Sequence, residues 1–186
     1  MAMLVFGSTM CFTSGAELAP CPSVTVAVNI GSTADVQSLT DALACAGEGV
    51  FNITWYSSLA IEERIEVSDN KNVTVTGTSP SFGGGLADGN DAGVIIDAGS
   101  GTGIFSVFHG STLRLNNLVL EGGNPEHGGA VEVLSSSSLF VFDCLFKNNN
   151  ASNGGETLQL GCDAKHRAKN SQTADNGSTS TVYKSY

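Results

Sequence analysis

Apolar triplets return along this chain at a fixed offset of 26 residues, and that period limits the folds open to it. Phe105-Ser106-Val107 is answered by Val131-Glu132-Val133, and Leu113-Arg114-Leu115 by Leu139-Phe140-Val141. Leu118-Val119-Leu120 is answered in the same way by Cys144-Leu145-Phe146, and Gly128-Gly129 by Gly154-Gly155. An earlier copy, Ile65-Glu66-Val67 with Val73-Thr74-Val75, stands 40 residues before its partner. The surplus of 14 residues over one period coincides with the Gly- and Asp-containing stretch 78–92.

Each repeat holds three short segments whose apolar residues lie two positions apart, which puts them on one face of a strand. Strands this short, parted by Gly, Asn and Ser turns, cannot hide a core by pairing as hairpins. They can if each repeat forms one coil, stacked about 4.8 Å above the last in three parallel sheets. The predicted fold is therefore all-β: a right-handed parallel β-helix of about three coils, running from about Phe51 to Leu160. Phe105, Val107, Leu113, Leu115, Leu118 and Leu120 then point inward and stack on Val131, Val133, Leu139, Val141, Cys144 and Phe146. An antiparallel sandwich would explain the alternation but not the constant offset.

The N-terminal part reads as a cap. Val24, Val26, Val28 and Ile30 alternate as a strand, and Ser32 with Asp35 three residues on forms a capping box. Val36, Leu39, Leu43 and Ala46 share one helical face and Gly47 closes it, which predicts a helix over 33–46 covering the open end of the coil. At the other end the fixed period finds no apolar partners. Thr157 and Gln159 stand one repeat beyond Val131 and Val133, and Lys165 and Arg167 stand one repeat beyond Leu139 and Val141. Leu158 and Leu160 are one residue out of phase, which would face them outward. The β-helix domain is thus expected to occupy 17–160, and the polar tail 161–186 to be disordered. The last coil would then be an open edge through which the chain self-associates.

Residues 1–12 are apolar but too short to span a bilayer, and Ser14-Gly15-Ala16 offers a cleavage site. Segment 1–16 is therefore a candidate signal peptide, and the expected location is secreted or cell-surface, with no transmembrane span. Without Cys11, four cysteines remain, which allow three pairings. A Cys21–Cys45 bridge would staple the first strand to the helix end. Glycosylation sequons stand at Asn52, Asn72, Asn150 and Asn176. No CxxC or paired His at ligand spacing suggests zinc. Asp88, Asn90 and Asp91 gather oxygen ligands on a Gly-rich loop and are candidates for calcium. Ala92 at the fifth position rules out an EF-hand loop, and a solvated turn is the alternative reading. No other cofactor is expected.

The net charge is −10, and between Glu17 and Leu160 some 16 acidic side chains face 4 basic ones. This excludes nucleic acid as a natural partner, since such binding needs Lys and Arg to neutralise phosphates. It also opposes direct binding of anionic polysaccharide unless calcium bridges the two.

Two resemblances rest on these residues. Segment 127–156 resembles the polymorphic outer-membrane-protein repeat, with Gly128-Gly129-Ala130 at its start and Phe146-Lys147-Asn148-Asn149 at its end. Segment 34–120 is similar to the pectin-lyase-like β-helix, through the capping helix, Thr74-Val75-Thr76-Gly77 and Ile96-Asp97-Ala98-Gly99. Enzymes of that fold act on polysaccharides with carboxylates and Arg or Lys on the outer face of one sheet, often with calcium. The resemblance therefore implies a site among the outward residues, where Arg114, Glu132 and Asp143 would orient a sugar with a carboxylate as general base. The alternative is a solvated face with an ordinary ion pair. His109 reads as a surface histidine, Cys144 as a core thiol, and Asn148 to Asn150 as partners for backbone groups at a coil corner. Fold alone does not assign function. The preferred reading is a non-catalytic module binding an extracellular glycan or a cell-surface protein, because paired carboxylates on neighbouring coils are missing. The alternative is a polysaccharide lyase, hydrolase or epimerase of uronate-containing glycans, or a decayed relative.

Overall fold

The structure, a computed structural model, describes residues 24–44, 48–78, 93–99, 101–134, 136–153, 157–169, 171–174 and 182–184. A first strand, β1 (Val24–Ile30), leads into helix α1 (Thr33–Ala44). Five coils follow, each crossing three sheets in turn. The first coil is β2 (Gly49–Trp55), β3 (Leu59–Ala60) and β4 (Ile65–Val67), and the second is β5 (Asn72–Gly77), β6 (Val94–Asp97) and β7 (Phe105–Val107). The third is β8 (Thr112–Asn116), β9 (Leu118–Glu121) and β10 (Val131–Val133), and the fourth is β11 (Ser138–Phe142), β12 (Leu145–Lys147) and β13 (Leu158–Leu160). The fifth is β14 (Lys165–Lys169), β15 (Gln172–Ala174) and β16 (Val182–Lys184). Sheet A runs β1-β2-β5-β8-β11-β14, sheet B runs β3-β6-β9-β12-β15 and sheet C runs β4-β7-β10-β13-β16. The pairings within them are parallel, so the chain is a parallel β-helix.

The 26-residue offset is a spatial register. Val107 pairs with Val133, Leu115 with Val141 and Leu120 with Phe146, and all six side chains are buried. The 40-residue offset is equally real, since Ile65 pairs with Phe105 and Val73 with Leu113. Two inward columns of sheet A carry most of this logic. One stacks Phe51, Val73, Leu113 and Leu139, the other Ile53, Val75, Leu115 and Val141. Apolar area removed from water on the first four coils holds the stack together, at about 25 cal/mol per Å².

The coil count and the domain end require correction. The β-helix does not stop after about three coils at Leu160, and β14 and β15 lie within the stretch expected to be disordered. The reason is one added residue between β12 and β13. Val131 pairs with Leu158, Leu139 with His166 and Leu145 with Gln172, each at an offset of 27. A one-residue shift reverses the face of a strand when period is read along the sequence. In space β13 pairs with β10 in the shifted register, so Leu158 and Leu160 point inward and are each 4% exposed.

Among the described residues, sheets B and C have no strand above the first coil, and helix α1 caps that end. Its Leu39 and Leu43 are buried, and it packs on β1 and β4, as a cap should. The capping box forms: the Asp35 N–H donates to Ser32 Oγ (3.3 Å) and the Gly31 N–H donates to Asp35 Oδ2 (3.0 Å). Burial raises the Asp35 pKa, but the hydrogen bonds from Gly31 and Ser32 outweigh it and hold the carboxyl below its ordinary value.

Corners repeat as faithfully as strands. The turns from sheet C to sheet A carry left-handed residues at Asp69 and Asn70, His109 and Gly110, Ser136, and Asp163. Asn, Asp and Gly tolerate that conformation best, which accounts for their abundance at these corners. At another corner Asn149 is fully buried, accepts from the Gly123 N–H (3.0 Å) and donates to the Leu120 carbonyl (2.9 Å). This is the backbone-satisfying role its sequence position suggested.

Candidate functional site

Arg114, Glu132 and Asp143 do not converge. Arg114 lies on β8 of sheet A, Glu132 on β10 of sheet C, and Asp143 in the exposed corner after β11, with φ of 51°. Residues outward on two sheets of one coil point along diverging normals, so closeness in sequence brings them to different faces. Glu132 is instead taken by Arg64, whose Nη1 donates to Glu132 Oε2 at 2.7 Å and whose Nη2 donates to the His127 carbonyl at 3.2 Å. The Ser106 hydroxyl donates to the same carboxylate oxygen (3.4 Å). Arg64 reaches across the second coil at Gly103, where a Cβ would stand 2.5 Å from Nη2. This cluster clamps coils together, and sequence reasoning had not singled out Arg64.

Arg114 belongs to a different arrangement. Its Nη1 donates to Asn72 Oδ1 (2.7 Å), and its guanidinium carbon stands 4.8 Å from the centre of the Phe140 ring. That distance lies within cation–π range. Register extends the column: Asn52, Thr74, Arg114, Phe140 and Arg167 occupy equivalent outward positions on successive strands of sheet A. Beside it run Asn72, Thr112, Ser138 and Lys165 on one flank, and Thr76, Asn116, Phe142 and Lys169 on the other. Lys165, Arg167 and Lys169 are exposed, while Arg114, Phe140 and Phe142 are partly so.

The charge on this face inverts that of the whole chain. The sequence holds 18 acidic and 8 basic side chains. No outward position of β2, β5, β8, β11 or β14 carries a carboxylate, whereas Arg114, Lys165, Arg167 and Lys169 all stand there. Arginine forks match carboxylate and sulfate oxygens, aromatic rings stack on apolar faces, and the hydroxyl and carboxamide rows nearer β2 can exchange hydrogen bonds with a polyhydroxylated ligand. Among the described residues, none of the outward side chains of sheet A is an acid–base pair. The three cations of β14 alternate at period two, a signal visible in the sequence but overshadowed by the missing apolar partners.

The remaining candidates are placed as follows. Asn52 and Asn150 are exposed, whereas Asn72 is half-buried with its oxygen engaged by Arg114. Cys21, Cys45, Asp88, Asn90, Asp91 and Asn176 lie outside the described residues, as does segment 1–16. Among the described residues no group of three or more His, Cys, Asp or Glu is placed to hold a metal. Cys144 is buried, and burial pushes its thiol pKa up to about 12, so it is a core thiol rather than a nucleophile. His109 is exposed, with Nδ1 3.5 Å from Asp69 Oδ1. Lys71, only 1% exposed, approaches the other oxygen of that carboxylate at 3.5 Å and donates to the Ser68 carbonyl (3.2 Å). The Ser68 hydroxyl, Lys71 and His109 hold Asp69 below its ordinary pKa, against a smaller rise from burial.

No family model, curated protein or solved structure matches this chain. The resemblances to pectin-lyase-like and polymorphic outer-membrane-protein repeats therefore rest on the residues quoted for them, and the structure supports the β-helix architecture that they imply. No described helix is long and apolar enough to cross a membrane.

Proposed function

We propose that this chain is a secreted or cell-surface, non-catalytic β-helix module that binds an acidic, uronate-containing glycan along the outer face of sheet A. The observation that carries the reading is the carboxylate-free face on which Arg114 and Arg167 flank Phe140, with Lys165 and Lys169 beside them. The chain's acidity opposes such a ligand only if charge is averaged over the surface. A Debye length of about 8 Å at physiological salt lets the local cations dominate at this face. The same acidity elsewhere disfavours the denser charge of a polyphosphate, and the hydroxyl and carboxamide rows suit a sugar polymer better than a nucleic acid. Secretion is supported by the apolar start and the small residues Ser14-Gly15-Ala16. The resemblance of segment 34–120 to the pectin-lyase-like β-helix is consistent with a polysaccharide ligand.

The test is a glycan array with and without calcium, followed by titration of polygalacturonate, a neutral glucan and single-stranded DNA. Polygalacturonate should bind without calcium, weaken with salt, and lose about tenfold or more in affinity in Arg167→Ser, a loss of at least about 1.4 kcal/mol. Equal binding of the neutral glucan, or preference for DNA, would overturn the assignment. Release of unsaturated uronate from bound polymer would make the protein a lyase instead.

A further inference from the structure

We infer that His166 makes the fifth coil acid-labile, so that acidification loosens β14 and releases the ligand held by its cations; the release half rests on the glycan-binding reading of sheet A. Alternation along β14 sends Lys165, Arg167 and Lys169 outward and His166 and Ala168 inward, beneath Leu139 and Val141. His166 thus ends a column that is apolar on every earlier coil. It is half-buried, and its Nε2 is shielded from solvent with no hydrogen-bond partner.

A neutral imidazole tolerates that position, whereas an imidazolium must bury an N–H and a charge. The described surroundings offer no counter-charge. Leu139 lies against it from β11, Leu158 and Leu160 face the same interior from β13, and Thr173 is the described inward side chain of β15. On its own strand the flanking groups are Lys165 and Arg167, both cations, and Asp163 stands exposed in the preceding turn. Among the described side chains no carboxylate faces the ring. The fifth coil also has little to resist opening, because inward Ala168 and Thr173 are exposed.

Burial lowers the His166 pKa below its ordinary value of 6.5. The unfolded strand therefore takes up a proton before the folded one does. Stability is complete above the unfolded pKa of about 6.5 and falls as pH drops through the folded value, by up to about tenfold in the opening constant per pH unit. Since β14 carries three of the four cations on the face, its opening removes most of the anion-binding charge. Uronate carboxylates stay ionised in that window, so loss of ligand charge does not produce the effect.

Hydrogen exchange of the 161–174 peptide, corrected for intrinsic rates, should show opening that rises between about pH 7.5 and pH 5, while a 131–142 peptide stays protected. His166→Leu, which extends the Leu139 column, should abolish the rise, and NMR titration of the wild-type imidazole should place its pKa below 6.5. Opening that does not depend on pH, a rise that persists in the Leu variant, or an imidazole titrating above its ordinary value would overturn the inference. Polygalacturonate should bind wild type more weakly at the lower pH and the Leu variant equally at both. No polygalacturonate binding at either pH sinks the reading of the face and the release step, while exchange still decides the lability of the coil.

Discussion

The fourth and fifth coils share one path and one register but differ in what they bury. In the fourth, Leu139 and Val141 are fully buried between the coils on either side. In the fifth, His166 is half-buried and Ala168 exposed, while the outward positions carry three cations. A solenoid's stability is a sum of local coil terms and nearest-neighbour interfaces, so adjacent coils can differ without disturbing the rest. The fourth coil buries apolar side chains inward and presents Phe140 and Phe142 outward, whereas the fifth gives up packing and presents charge. Inward packing thus weakens, and outward charge rises, from one coil to the next.

The strongest way to break that contrast is to cut into the inner coils. Leu115 is fully buried, with Val75 and Val141 in register on either side of it. Leu115→Ala should cost roughly 2–5 kcal/mol, because the lost transfer energy adds to a cavity that neighbouring coils cannot close. Urea unfolding measures it, and a loss under about 1 kcal/mol would mean that the interior coils are as loose as the last.

A smaller effect probes the corners. Asn149→Ala leaves the Gly123 N–H and the Leu120 carbonyl without the side chain that serves both. Each buried group left unpaired costs roughly 1–3 kcal/mol, so a thermal shift of several degrees should follow. If the midpoint does not move, water or a local shift replaces the carboxamide, and Asn149 does not hold the corner.

Much of the scaffold was legible because inward strand positions obey two rules at once, alternation and a constant offset. Val107 over Val133 and Leu115 over Val141 satisfied both. The fifth coil escaped because a single added residue breaks the offset, and because His166 and Ala168 lack the apolar signature by which an inward position is recognised. The candidate face escaped for a different reason. Arg114 and Glu132 are near in sequence, but their strands belong to different sheets, and only register shows that Arg114 shares a face with Arg167 rather than with Glu132. Counting charge over a whole chain likewise hides a face from which carboxylates are excluded.

The finest test swaps the same two carbons between the coils. Val141 and Ala168 are neighbours in one inward column. Val141→Ala should cost about 2 kcal/mol, from two buried methylene equivalents and the space they leave. The reverse change, Ala168→Val, should alter stability by less than about 0.5 kcal/mol, because added carbon at an exposed position removes little from water. Strand propensity alone could imitate a gain, since β-branched residues favour strands. Ala168→Thr controls for this: Val and Thr share a shape, and only burial makes the hydroxyl unfavourable. If Val and Thr at this position agree within about 0.5 kcal/mol, the end of the column is open to water. If Val exceeds Thr by about 1 kcal/mol or more, something covers Ala168 in solution, and the fifth coil is an interior coil with a further layer beyond it.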